Sequence, residues 1–311
     1  TYGMRFLNGG TDSAIVKGCF IQPKNFSANC AFGRGIRTFS GGRFVIGGPA
    51  NADTNRIVAF YGVQMGDLAG PSVIEHNSFA GQGVEITAPD VNSGIHKVIQ
   101  NRFYALIPQA FIALIELKDV QKDGAGVLIE NNFISGHSNF GIFSERSRNV
   151  TVRNNLFIPS DTAKNFRHIS VNTKQQTAAT VQVPGVNSIV IQGNEFRSAS
   201  SAGGIGVEFG NHNDDPAAIN AFTGVVLGGA LAEANTFGGN LQYFFRLDPQ
   251  TGASNTILPW TTYPVTPMRP VADAFDITEN VFSVSGGQKR PAIMTDTELY
   301  ELEDKVLHAI D

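Results

Sequence analysis

The chain has 311 residues and a net charge of −4, and its 23 lysines and arginines form no basic cluster, which excludes the positive stripe that a nucleic-acid backbone needs. Hydrophobic residues at 42% supply a sizeable core and argue against wholesale disorder, while no apolar run approaches the roughly 18 residues that cross a bilayer. Charged residues are only 16% against roughly 25% in average domains, and 34 glycines with 25 asparagines point to many tight turns.

From the N-terminus onward one short pattern returns: an apolar strand, a turn, then phenylalanine. Gly18-Cys19-Phe20 and Gly42-Arg43-Phe44 carry glycine at the turn. Seven later copies read Asn-x-Phe and begin at Asn77, Asn101, Asn131, Asn155, Asn194, Asn235 and Asn280, whereas composition alone would give roughly two. Most of the stretches before them alternate as strands do, among them Val73-Ile74-Glu75, Val127-Leu128-Ile129-Glu130, Val150-Thr151-Val152-Arg153, Ile189-Val190-Ile191-Gln192 and Phe275-Asp276-Ile277-Thr278. Asparagine tolerates left-handed backbone angles and bonds to nearby backbone, and glycine substitutes for the same reason. The seven asparagines are therefore expected to stack as a hydrogen-bonded ladder, with the phenylalanines pointing inward.

Successive phenylalanines are 24, 35, 24, 30, 24, 39, 41 and 45 residues apart. A period of 24 suits one coil of three short strands and three turns, and the longer intervals are that coil with a loop inserted. The spacing predicts an all-β parallel solenoid of about nine coils over residues 1–290. A second strand follows each turn, as in Val84-Glu85-Ile86, Ile115-Glu116-Leu117, Ile142-Phe143-Ser144, Ile169-Ser170-Val171, Val207-Glu208-Phe209 and Phe244-Phe245-Arg246-Leu247. With apolar flanks inward, Glu85, Glu116, Ser144, Ser170, Glu208 and Arg246 form an outward column spaced about 4.8 Å per coil.

Proline and polar residues gather in Asn172 to Asn187, Gly210 to Phe222 and Asp248 to Arg269, the last with the single Trp260; these are the long loops. At the C-terminus Thr295-Asp296-Thr297-Glu298 reads as a capping box, and Leu299, Leu302, Val306 and Ile310 make a helical stripe. A short helix is expected within 291–311, covering the open end of the solenoid or starting a further module. Cys19 and Cys30 are too few for a four-ligand zinc site; a disulfide across a turn and two free thiols both remain open.

The stacked strands, as in Asn149-Val-Thr-Val-Arg-Asn-Asn-Leu-Phe157, resemble the right-handed, single-stranded parallel β-helix repeats of the pectate-lyase-like superfamily, over roughly residues 10 to 285. The ending Leu299-Tyr-Glu-Leu-Glu-Asp-Lys-Val-Leu-His-Ala-Ile-Asp311 is similar to a segment at module junctions in very large bacterial secreted β-helix proteins. The resemblance implies one module of an extracellular or cell-surface protein acting as adhesin, sheath or filament, whose partners are other copies or modules of the parent and polysaccharide. The start at Thr1, with no initiator methionine, is expected to reflect excision from a longer polypeptide. The superfamily also contains polysaccharide-cleaving enzymes and tailspikes. The hydrolase pattern is not met here, because Gly136-His137-Ser138 lacks a second glycine, Asp214-Asp215 precedes Pro216, and Arg-Ile-Lys is absent.

Two groups carry the sharpest chemistry. Glu85 and Glu116, if on consecutive coils, lie about 5 Å apart, a spacing that suits a retaining glycosidase pair or a cation; a solvated face with splayed carboxylates is the plainer expectation. In His212-Asn213-Asp214-Asp215 the adjacent carboxylates of Asp214 and Asp215 are hard donors for Ca2+, and a polar turn explains them equally. No other cofactor is expected. The reading is a non-enzymatic structural or adhesive module with glycan recognition along the solenoid, and a polysaccharide-processing enzyme or tailspike as the alternative.

Overall fold

A computed structural model of the chain describes residues 2–7, 13–22, 33–68, 70–87, 94–105, 113–120, 124–172, 187–200, 203–210, 212–213, 223–238, 240–248, 256–257, 275–278, 281–282, 291–294, 299–303 and 306–310. Among them the protein is an all-β parallel solenoid with no α-helix. The first face is a nine-stranded parallel sheet that includes Phe44–Gly47, Val73–Glu75, Ile95–Ile99, Gly126–Glu130, Val150–Arg153 and Asn187–Gln192. A 16-stranded sheet supplies two further faces, because Arg56–Leu68 and Ser78–Thr87 each run through both. Its second face holds short strands such as Arg102–Tyr104 and Leu156–Pro159. The third holds longer ones, among them Ala113–Lys118, Phe140–Glu145, Arg167–Asn172, Ile205–Gly210 and Tyr243–Asp248.

Three interior columns fill the space between the faces. Ile46, Ile74, Val98, Ile129, Val152, Ile191 and Leu227 pair in register on the first face. Ile36, Val63, Val84, Ile115, Ile142, Ile169 and Val207 do so on the third. All fourteen are at most 1% exposed. Branched aliphatics suit this geometry, since their stiff side chains pack against the same residue type one strand away. The second face contributes Ile57, Phe79, Phe103, Ile134, Phe157, Phe196 and Phe237, whose rings stack at 5.0 Å for Phe79 with Phe103 and 4.8 Å for Phe196 with Phe237. Full burial of each such side chain is worth about 1.5–3 kcal/mol.

The turn between the first and second faces carries the ladder, with a corrected membership. It consists of Asn55, Asn77, Asn101, Asn132, Asn155, Asn194 and Asn235, all at most 2% exposed. The backbone N–H of Asn101 donates to Asn132 Oδ1 at 2.9 Å, and Asn101 Nδ2 donates to the same oxygen at 3.1 Å and to Ile74 O at 2.9 Å. The pattern repeats from Asn155 to Asn194 at 3.0 Å and 3.0 Å. At the N-terminal end Cys19 takes the place of asparagine and gives its N–H to Asn55 Oδ1 at 2.9 Å.

Asn131, expected in the ladder, is instead the left-handed residue before it, at φ 56°, and is exposed. The same place is held by His76, Gln100, Asn154 and Gly193. Left-handed backbone and side-chain ladder are thus separate tasks on adjacent residues. Asn280 lies outside the described residues. The slip at Asn131 carries over to its neighbour: Ile134 pairs with Phe103 and is buried, while Phe133 pairs with Arg102 and is half-buried. Phe20 is 58% exposed because Ile21 holds its coil's interior position, and Phe44 is buried but opens a first-face strand. Cys19 is a free thiol, and Cys30 lies outside the described residues.

The expected C-terminal helix is replaced by a three-stranded antiparallel sheet of Pro291–Met294, Leu299–Glu303 and Val306–Ile310. The last two strands pair from Glu303 with Val306 to Leu299 with Ile310, across a two-residue connection. The register pairs Leu299 with Ile310 and Leu302 with Leu307, so the apolar residues that read as a helical stripe meet across two strands instead. Pro291–Met294 lies against Tyr243–Asp248 at the end of the third face. Of the long loops, His212–Asn213 pairs antiparallel with Thr256–Ile257, so two of them meet; Trp260 is outside the described residues.

Candidate functional site

One four-residue pattern builds the third face: an outward residue, glycine, a buried aliphatic, and a second outward residue. It reads Arg34-Gly-Ile-Arg37, Tyr61-Gly-Val-Gln64, Gln82-Gly-Val-Glu85, Phe140-Gly-Ile-Phe143 and Ile205-Gly-Val-Glu208. Leu114, His168 and Phe244 replace glycine in the remaining strands. Register then aligns Arg37, Gln64, Glu85, Glu116, Phe143, Ser170, Glu208 and Arg246 in one column. Beside it run Arg34 and Tyr61, then Phe140 and Arg167, then Ile205 and Tyr243. Ser144, expected in the column, is buried and pairs with Leu117 and Val171; Phe143 takes its place. The half-buried rings of Tyr61, Phe140, Phe143 and Tyr243 therefore alternate with charged and amide groups along one surface.

Glu85 and Glu116 are direct partners in that column, and Glu85 is only 8% exposed. They do not splay into water. Gln64 Nε2 donates to Glu85 Oε2 at 3.0 Å and Thr87 Oγ1 to Oε1 at 3.1 Å. Gln82 Nε2 donates to Glu116 Oε2 at 2.9 Å, and Lys118 Nζ lies 2.8 Å from Oε1. All four carboxylate oxygens are engaged. Burial, the largest influence on the Lys118 amine, lowers its pKa, but the hydrogen bond and charge of Glu116, with Glu85 and Glu145, outweigh it and hold the amine above its ordinary value. Burial first, then the charges of Glu85 and Glu116, push the Tyr61 hydroxyl up, so it stays a proton donor. Arg34 lies 5.3 Å over the Tyr61 ring and donates to Gln64 Oε1 at 2.7 Å.

Further along the column Glu208 is 4% exposed and paired with two arginines. Arg167 Nε donates to its Oε2 at 2.7 Å, and Arg246 Nη1 lies 3.7 Å from Oε1. Ser170 Oγ reaches Oε2 at 3.4 Å. A carboxylate this deep is tolerable because two guanidiniums replace its water.

Among the described residues no group of three or more His, Cys, Asp or Glu is placed to hold a metal ion. Asp214 and Asp215 lie outside them. No protein-family model matches the chain, and no curated protein or solved structure matches it either. The site's partners Tyr61, Gln64, Gln82, Lys118, Phe140 and Arg167 escape a search for acids alone. The glycine-aliphatic pair inside five of the third-face strands marks Tyr61, Gln64, Gln82 and Phe140, through the outward residues on either side of it, and leaves Lys118 and Arg167 unmarked.

Proposed function

We propose that this protein is a non-enzymatic extracellular or cell-surface module that binds glycan along the third face of a right-handed parallel β-helix of about nine coils, of pectate-lyase-like type. The observation that carries this reading is the third face itself: rings at Tyr61, Phe140, Phe143 and Tyr243, on every third strand, stand among amide, carboxylate and guanidinium groups. Apolar ring faces suit the C–H faces of sugars, and flanking polar groups suit hydroxyls. A straight surface repeating about every 4.8 Å favours an extended polymer over a compact partner. Other copies or modules of a parent protein are its proposed neighbours, which makes the module part of an adhesin or filament.

Cleavage of the bound polymer is the rival reading, and it draws on the direct pairing of Glu85 with Glu116. The donors on all four oxygens oppose it, since they favour the ionised form of both groups and neither is then set up as the proton-carrying acid that cleavage needs. The test is depletion of the protein from solution by a panel of insoluble polysaccharides, with reducing ends and unsaturated uronate measured in the same tubes. Binding without release is expected. Sustained release would replace the binding module by an enzyme, and absence of binding to every polysaccharide would remove the glycan reading.

A further inference from the structure

Toward the C-terminal end of the third face, Lys164, Asn165, Arg167, Gln242 and Arg246 line a cleft of about 290 Å³. That is the lower limit of ligand pockets, roughly 300 Å³, so it has room for one or two sugar rings and none for a folded domain. No lining residue is acidic. Among the described residues three positive side chains meet there, with one carboxylate, that of Glu208, beside them.

The guanidiniums are held in place before any ligand arrives. Arg167 is fixed by its 2.7 Å bond to Glu208 and lies 5.4 Å over the Phe140 ring. Arg246 is held 3.7 Å from Glu208 and 5.7 Å over Tyr243. Ordering these long side chains in advance removes an entropic cost that binding would otherwise carry. Lys164 is exposed, with no ion pair among the described residues, and Asn165 and Gln242 add amide donors.

We propose that this cleft binds an anionic group, a carboxylate or sulfate, carried on a sugar ring; the proposal rests on the glycan reading and names the charge and the place. A guanidinium offers paired donors that match the oxygens of either group, and the lysine adds a mobile point charge.

Calorimetry on the full chain tests it with four probes: a glucuronate disaccharide, a sulfated disaccharide, the matching neutral disaccharide, and inorganic sulfate alone. One of the anionic sugars is expected to bind about tenfold more tightly than the neutral one, to weaken as sodium chloride is raised, and by its identity to separate carboxylate from sulfate. Lys164→Glu should remove about tenfold of that affinity and weaken the neutral sugar, which carries no charge to repel, by clearly less. Gln242→Glu, also at an exposed position, should act in the same direction. Equal affinity for neutral and anionic sugars, or indifference to both substitutions, would overturn the anion site while the glycan reading stood. Inorganic sulfate binding as tightly as the sulfated sugar would overturn the sugar component. Failure of every probe together with every polysaccharide would remove both.

Discussion

Gly83 lies so close to Phe103 that a Cβ on the glycine would come 2.2 Å from the ring. The same relation joins Gly62 to Phe79 at 2.6 Å, Gly141 to Phe157 at 3.1 Å and Gly206 to Phe237 at 2.6 Å. Where Ile134 stands for phenylalanine, the preceding coil carries Leu114 in place of glycine. Interior volume is thus shared between the second and third faces, large against small, as close packing requires. Gly83→Ala is expected to cost about 2 kcal/mol by overpacking. Phe103→Ile should be destabilising alone and yet partly restore the Gly83→Ala protein. Denaturation midpoints of the four proteins measure the coupling, and strictly additive losses would refute the shared-volume account.

Asn131 and Asn132 are chemically identical neighbours with different work, and substitution should separate them. Asn132→Ala removes the oxygen that accepts from Asn101 N–H, leaving that buried donor unpaired, and the amide that donates to Val98 O and Asn155 Oδ1, and should cost about 3 kcal/mol. Asn131 is exposed at φ 56°, so Asn131→Gly should be nearly neutral, while Asn131→Ala should cost about 1 kcal/mol of left-handed strain. Urea denaturation checks the order. A larger loss at Asn131 than at Asn132 would restore the register expected from sequence.

The repeat is legible because every coil needs a ladder amide and an interior side chain at fixed separation. It blurs where two residues satisfy the pattern at once, as at Asn131 and Asn132, or where isoleucine fills the ring position, as at Asn55-Arg56-Ile57. The face of the column is legible, but Phe143 reads as core when hydrophobicity alone is used, and only Gly141 before Ile142 shows that it points out. The site's partners are hidden for a different reason. Gln64 meets Glu85 from 21 residues away and Arg167 meets Glu208 from 41, distances that stacking sets and local sequence does not. The C-terminal stripe at Leu299, Leu302, Val306 and Ile310 has the 3.6 period of a helix, and pairing between strands overrides it.

Glu85→Gln and Glu116→Gln should leave folding and polysaccharide binding nearly unchanged. Each glutamine keeps one oxygen for Gln64 or Gln82, the Glu85→Gln amide can donate to Thr87 Oγ1, and Glu116→Gln gives up a partly exposed ion pair with Lys118 worth about 0–1 kcal/mol. Loss of repulsion between direct partners works in the opposite direction. Binding isotherms and reducing-end assays on both variants check this. Turnover by the parent that vanishes in either variant would install the enzyme in place of the binding module.

The last prediction concerns acid and the buried histidines. His168 Nε2 lies 2.8 Å from the carbonyl oxygen of Arg197, which can only accept, so that nitrogen carries the proton. In a neutral ring its Nδ1 is then bare and accepts from His137 Nε2 at 2.9 Å, which leaves His137 Nδ1 a bare acceptor with no partner among the described residues. Burial holds the His137 pKa down to about 3 and His96 to about 4, and burial together with the neighbouring His137 keeps His168 well below its ordinary value. The folded values lie below the unfolded value of about 6.5, so below that pH the unfolded chain binds protons that the folded chain refuses. The stabilisation is complete above pH about 6.5 and falls as pH drops, by up to about 1.4 kcal/mol per pH unit for each ring. Between about 6.5 and 5 the carboxylates are still ionised, so this window belongs to the histidines. Urea midpoints followed across it should fall steadily, and the three ring C–H resonances should stay fixed in the folded protein. Rings that titrate near 6.5 while the fold persists, or midpoints that do not move, would show that these histidines are open to water.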